Sequence, residues 1–413
     1  MATERALAHV LAKPVGARCN LDCSYCFYLD KEALYPGSRF RMSDEVLGAW
    51  LAQLFEMHRD QPSVPVAFQG GEPTLMGLDF FERAAALARA LARPGQQVEL
   101  SLQTNGLLLD QAWVEFLREQ RVLVGLSIDG PEALHDAYRV DRAGRGSHGR
   151  VERAARLLLE GGVDVNAMVC VHAANADHPL LVYRALTDLG FRHIQHIPIV
   201  EPGPPVSART VAPDAWGRFL IATFDHWARH DVGRVFFPTF ESALAAWLGL
   251  EPAMCVFRET CGDALALEHN GDLYSCDHFV NPGHLLGNVT QGRLTELAGS
   301  PAQRAFGRAK AELPGLCQRC EVRFACRGEC PKNRVLRTPE GEEGLNWLCE
   351  GYKAFFTHID RPMRLLAELV RAGRPAENLM GLLAALEGGG LERHAPCPCG
   401  SGRKFRRCHG EAG

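Results

Sequence analysis

The stretch "CNLDCSYC" occupies residues 19–26 and sets Cys19, Cys23 and Cys26 on a segment that directly follows an apolar, β-prone run around residues 6–12. Further runs of the same kind lie at about 64–69 (VPVAFQ), 98–104 (VELSLQT), 122–128 (VLVGLSI), 163–171 (VDVNAMVCV) and 193–199 (HIQHIPI). Between them stand amphipathic segments such as DEVLGAWLAQLFEMH, opened by Ser43, and DQAWVEFLREQ, whose apolar residues recur at helical spacing. Six such repeats predict a parallel sheet with crossover helices. Periodicity alone leaves an open doubly wound sheet and a complete or partial barrel equally available.

Composition restricts what surrounds this sheet. The 413 residues are 46% apolar and 23% charged, with a net charge of -4, so a substantial core is available and no broad basic surface for nucleic acid is expected. The N-terminus lacks the apolar core of a signal peptide, and no uninterrupted apolar run reaches membrane-spanning length. The chain therefore reads as cytosolic, and its 15 cysteines as metal ligands or catalysts rather than disulfides. From about residue 250 the βα pattern gives way to loops rich in Cys, Gly and Asp. A helical stretch at roughly 350–386 follows, then EGGGLERHAP, which reads as a Gly-rich linker, and a short Cys-rich tail.

The cysteines fall into the same groups. A structural zinc site closes with four ligands, and no fourth cysteine or histidine lies near the first three. Three thiolates on a four-iron four-sulfur cluster leave one iron open to a further ligand, whereas a zinc site would need a distant histidine to complete it. The middle group runs Cys255, Cys261, Cys276, then Cys317, Cys320, Cys326, Cys330 and Cys349. Eight thiolates complete two four-iron four-sulfur clusters, or equally two four-cysteine zinc sites. In the tail, Cys397, Cys399, Cys408 and His409 form a Cys3His set sufficient for a closed zinc site. Cys170 reads as a small core residue at the end of a strand. His193 and His196, three apart on a strand, face opposite sides and form no metal pair.

The first loop resembles that of radical S-adenosylmethionine enzymes, in which the open iron chelates the amino and carboxylate groups of that cofactor. Gln69, Gly70, Gly71 and Glu72, in "QGGEP" (69–73), resemble the family's glycine-rich turn for the methionyl amine. Ser127 of "SIDG" and Arg139 match positions that hold the cofactor's carboxylate. Residues alone give a plain turn and a solvated helix arginine as the alternatives. The resemblance implies an α/β fold: a partial (β/α)6 TIM-like barrel over 1–235, an auxiliary iron-sulfur domain over 236–375, a linker over 376–395, and a zinc-binding tail over 396–413. By the same resemblance Cys255, Cys261, Cys276 and Cys330 hold one auxiliary cluster, and Cys317, Cys320, Cys326 and Cys349 the other. Gly271, five residues before Cys276, belongs to that pattern.

Over residues 6 to about 375, "CNLDCSYCFYLDKEALYP", "QGGEPTLMG", "SIDGPEALHDAYR", "HIQHIPIVE" and "LYSCDHFV" resemble the anaerobic sulfatase-maturating enzymes. Those enzymes oxidise a cysteine or serine of a sulfatase peptide to Cα-formylglycine. The resemblance makes Asp277 the general base, and it sets Tyr28 and Gln69 near substrate and cofactor. Without it, Asp277 reads as a loop aspartate capping a turn. The implied inventory is three four-iron four-sulfur clusters, S-adenosyl-L-methionine and a zinc ion in the tail. The implied partners are a sulfatase or other peptide substrate and an electron donor such as flavodoxin or ferredoxin, with no nucleic acid, no membrane and a monomeric chain. The tail resembles the small zinc motif of the bacterial secretion ATPase, with Arg403, Lys404, Arg406 and Arg407 around Phe405 as a docking or merely solubilising tip. A different radical peptide modification, a thioether cross-link or epimerisation, fits the same scaffold, and a zinc-binding adaptor is the non-enzymatic alternative.

Overall fold

The computed structural model describes residues 8–388, 392 and 394–410. The start of the first expected strand, at residues 6 and 7, lies outside these. The chain divides into two compact units, Met1–Val169 with Glu259–Glu312, and Cys170–Arg258 with Leu313–Gly413. These units cut across the linear boundaries expected at 235 and 375, because part of the cysteine-rich segment folds with the first strands.

In the first unit β1 (His9–Lys13), β2 (Ser63–Phe68), β3 (Gln97–Thr104), β4 (Leu123–Ser127) and β5 (Val165–Val171) run parallel in that order. Their Val, Ile and Leu side chains alternate with a buried face, and helices fill the connections. The Ser43 hydroxyl accepts from Val46 N–H and starts the helix Asp44–Met57, which buries Trp50, Leu51 and Leu54. The Asp110 carboxylate does the same for Gln111–Glu119. β6 (His193–Pro198) belongs to the second unit, where Ile199 N–H donates to the carbonyl of Val171. The six strands thus sit where periodicity placed them, and the sheet is not closed into a barrel.

The other edge of β1 is taken by β7 (Ala264–Glu268), in parallel and in register from His9 opposite Ala264 to Lys13 opposite Glu268. β8 (Asp272–Tyr274) and β9 (Leu285–Asn288) continue antiparallel. Gly271, at φ +92°, makes the left-handed turn between β7 and β8, and its Cβ-less carbon faces Asn288.

The second unit is mainly helical. Pro179–Leu189, Pro213–His230 and Pro238–Leu248 each open with proline at the start, where its missing N–H costs nothing. They pack with Cys349–His358 and Asp360–Arg371 around Trp216, Phe219, Phe224, Phe240 and Phe355. His196 lies buried among Phe219 and Phe237, and burial pushes its imidazole down to about 3; His193 stacks on Phe236. Cys170 is half-buried rather than enclosed, since burial along β5 alternates and Cys170 falls on the more open face. Asn378–Gly388 is a helix that buries Leu379, Leu382 and Leu383, so most of the expected linker over 376–395 is ordered structure. Leucines at helical spacing there outweigh the glycines that follow. Residues 389–391 and 393 of that stretch lie outside the described residues.

Candidate active site

The cysteine loop leaves the C-terminal end of β1, where active sites of parallel α/β sheets gather. It is stitched to the glycine turn after β2. Gly71 N–H donates to Gly16 O at 2.8 Å and Glu72 N–H to Arg18 O at 2.8 Å. The approach is so close that a Cβ on Gly71 would stand 2.0 Å from the Arg18 carbonyl oxygen. Gly71→Ala is therefore expected to destabilise the protein by about 1–3 kcal/mol, as overpacking against rigid backbone does. Calorimetry should find Tm lowered by roughly 2–4 °C for each of those kcal/mol.

Glu72 braces this turn. It is fully buried and accepts from Thr74 N–H, Thr74 Oγ1, Thr104 Oγ1 and Asn105 N–H at 2.6–3.0 Å. Burial raises its carboxyl above the usual range in spite of those donors. Asn105 in turn reaches Asn20 Oδ1 at 2.7 Å and Cys19 Sγ at 3.7 Å. Leu21 N–H also points at Cys19 Sγ, at 3.4 Å. Burial pushes the Cys19 thiol up to about 12 and Cys23 to about 11, so a metal that claims them must displace protons.

Ser127, buried, ends β4 on the same rim. Arg139 is not a solvated helix residue: 7% exposed, it forms a two-pronged ion pair with Asp129 at 2.7 and 3.1 Å, while Tyr25 Oη donates to Asp129 at 2.5 Å. The guanidinium lies over the Tyr25 ring and beside Cys23, whose thiol it favours as thiolate.

Asp277 follows Cys276 beyond β8. Its Oδ2 accepts from Tyr28 Oη at 2.6 Å, Gln69 Nε2 donates to that same phenol at 3.3 Å, and Lys13 Nζ lies 2.6 Å from Oδ1. Lys13 is wholly buried and also sits 3.1 Å from Glu268 Oε1, a direct result of the β1–β7 register. Burial would raise the Asp277 carboxyl, but Lys13, His278 and the Tyr28 hydrogen bond hold it below the usual carboxylate range. Lys13, desolvated yet facing two carboxylates, is held above its ordinary value. Burial and the neighbouring Asp277 charge push the Tyr28 phenol up, which keeps it a donor. Asp277 is thus an ionised carboxylate in a constellation with Tyr28 and Gln69, all within the first unit. Lys13, Glu268 and Asp129 were missed at the level of sequence. A lysine closing an otherwise apolar strand was the one available signal.

The auxiliary cysteines distribute over both units. In the first, Cys261 and Cys276 stand on loops tied together by Gln303, whose Nε2 donates to Gly262 O and Ser275 O at 2.7 and 3.1 Å. In the second, Cys255 is exposed and Cys330 caps the short helix Pro331–Asn333. Cys317, Cys320, Cys326 and Cys349 line one cavity of about 240 Å³ in that unit, together with Val322 and Tyr352. Burial pushes Cys326 to about 12 and Cys349 to about 11. A cavity walled by four thiols fits a thiolate-ligated cluster.

The tail forms the tightest donor set among the described residues: the ligand atoms of Cys397, Cys399, Cys408 and His409 lie within 4.8 Å of one another, as a single ion requires. His409 Nδ1 faces Cys397 and Cys408 at 3.3 Å, while Nε2 faces Glu368 at 3.6 Å, the usual outer partner of a metal-bound imidazole. Arg374 Nη1 reaches Cys399 Sγ at 3.2 Å, and Asn378 Nδ2 reaches its carbonyl. The tail is therefore docked on the helices Asp360–Arg371 and Asn378–Gly388 and is not a freely tethered module. Arg374→Ala should weaken zinc binding by about tenfold, measured against a chromogenic chelator, as loss of an outer-shell partner does.

This arrangement matches known proteins. Residues 14–186 match the Radical SAM superfamily, residues 255–321 an iron-sulfur cluster-binding domain (SPASM), and residues 395–411 the SEC-C motif. The chain is a radical S-adenosylmethionine enzyme with an auxiliary cluster domain. It is 40% identical over 404 residues to a serine-type anaerobic sulfatase-maturating enzyme of Bacteroides thetaiotaomicron, covering 93% of this chain and 96% of the relative. A cysteine-type enzyme of Clostridium perfringens is 32% identical, with 84% and 95% covered. The solved structure of native anSMEcpe with bound AdoMet and Cp18Cys peptide superposes with TM-score 0.80 at 31% identity, covering 88% of this chain and 99% of that one. The chain belongs to the anaerobic sulfatase-maturating enzymes.

Proposed function

We propose that this protein oxidises a cysteine or serine side chain of a sulfatase peptide to Cα-formylglycine, with Asp277 as the base. The observation that carries the proposal is the Asp277 carboxylate, kept ionised by buried Lys13 and hydrogen-bonded to Tyr28 beside Gln69. Cys19, Cys23 and Cys26 would hold the cluster that binds S-adenosylmethionine. Cys255, Cys261, Cys276 and Cys330, and Cys317, Cys320, Cys326 and Cys349, would hold two more. When bound, these groups would supply hydrogen-atom abstraction at the substrate Cβ and an outlet for the remaining electron.

The chain's own residues do the rest. The glycines at 70 and 71 let the turn pack against the cysteine loop, which would bring its main chain to the cofactor's methionyl end, and Ser127 with Arg139 would hold the cofactor's carboxylate. Asp129 fixes the guanidinium plane. Asp277 Oδ2 takes the thiol or hydroxyl proton as the carbonyl or thiocarbonyl forms, and Tyr28 holds the carboxylate at the required orientation. Thioaldehyde hydrolysis then releases sulfide. Reconstituted protein should convert matched peptides: the serine peptide loses two hydrogens, and the cysteine peptide loses two hydrogens and exchanges sulfur for oxygen. A peptide of unchanged mass with an inverted centre, or one that keeps its sulfur in a cross-link, would overturn the assignment in favour of another radical modification.

A further inference from the structure

On the first unit, a cavity of about 370 Å³ opens beside the cysteine loop and is lined by Cys19 together with Arg18, Arg41 and Arg142. All three arginines are exposed, as are Arg39 and Arg145 next to them. Their side-chain hydrogen bonds go largely to backbone carbonyls. Arg142 Nη2 donates to Cys19 O at 3.1 Å, Arg18 Nη1 to Arg39 O at 3.3 Å, and Arg41 to Leu75 O and Met76 O at 3.1 and 3.0 Å. Asp141, the carboxylate beside this rim, is already engaged by Arg145 and Arg150. Among the described residues Arg18, Arg39, Arg41 and Arg142 have no carboxylate at ion-pair distance. A chain of net charge -4 thus concentrates uncompensated positive charge around one of its cysteine ligands.

We propose that this arginine rim is the docking face for an acidic one-electron carrier protein, which delivers its electron by way of Cys19. The proposal rests on Cys19, Cys23 and Cys26 holding the radical cluster. Clustered like charge raises the encounter rate with an oppositely charged partner and fixes its orientation. The cavity lets the partner approach a ligand cysteine, and Arg142 couples the surface directly to the Cys19 main chain. In the transfer the reduced carrier loses one electron and the thiolate-held cluster gains it, with no bond made or broken.

The test compares two reductants and adds a binding measurement. With reduced flavodoxin as the probe, fluorescence anisotropy should show binding to the reconstituted protein that weakens by about tenfold or more between low and physiological salt. The double variant Arg18→Glu, Arg39→Glu should weaken flavodoxin binding and flavodoxin-driven S-adenosylmethionine cleavage by at least about tenfold. Cleavage driven by dithionite, which needs no docking, should stay within about twofold. Should the double variant also fail with dithionite, the single variant Arg39→Glu, at an exposed arginine that pairs with no carboxylate among the described residues, provides the same comparison. Equal flavodoxin binding by wild type and variant overturns the docking face. So does an effect confined to peptide turnover with dithionite, which would assign the arginines to the substrate peptide. Wild-type protein that binds iron yet cleaves no cofactor with dithionite removes the cluster reading itself, a result separable from both.

Discussion

Asparagine at position 277 should leave clusters and S-adenosylmethionine cleavage in place while formylglycine falls by ~10²-fold or more, the usual range for loss of a positioned acid-base group. The substitution keeps shape and an oxygen acceptor for Tyr28 Oη, so the 2.6 Å hydrogen bond has a counterpart in the variant. It removes one of the two carboxylates facing Lys13, but Glu268 at 3.1 Å remains, so the buried ammonium is not left alone. Folding and iron content should therefore survive, and the deficit should appear as cofactor cleaved without product. Mass spectrometry of the peptide beside chromatography of 5'-deoxyadenosine measures both. Near-normal formylglycine would reduce Asp277 to a residue that neutralises Lys13 and orients the loop after Cys276.

Alanine at Cys19, Cys23 and Cys26 together should abolish cofactor cleavage and lower iron from about 12 to about 8 per chain, one four-iron unit. The loop itself should persist. It is anchored by backbone bonds from Asp22 N–H to Val140 O and Ser24 N–H to Tyr138 O, at 2.8 and 3.0 Å, and by the Gly71 and Glu72 contacts, none of which uses a thiol. The remaining iron should report the auxiliary sites alone. Retained cleavage in this variant would dislodge the radical cluster from its assigned place.

Much of this was legible from residue order. Strand positions followed from runs of β-branched and leucine residues, and the cysteine spacings separated the three groups. Ser43 announced its helix. What escaped were the buried ion pairs and docking contacts between residues far apart in sequence. Lys13 carries no local sign of its role, because its partners Glu268 and Asp277 are fixed by the pairing of β1 with β7. Arg139 reads as a surface residue until Asp129 is seen to fold back toward it. The docked tail was hidden for the same reason: Arg374 and Glu368 belong to helices whose local pattern says nothing about Cys399 or His409. The helix at 378–388 falls within the helical stretch read over roughly 350–386, and only the linker boundary placed at 376 began too early.

The β1–β7 pairing has a consequence in time. Lys13 and its partner Glu268 are 255 residues apart, so on a ribosome adding about 5–20 residues per second the lysine waits roughly 13–50 s for its carboxylate. Throughout that interval the free edge of β1 and its ammonium must remain hydrated, since desolvating an unpaired charge costs several kcal/mol. The N-terminal half of the nascent chain is therefore held open at the edge that will carry the base. The Lys13 side of the site is completed only when the late strand pairs with the first one.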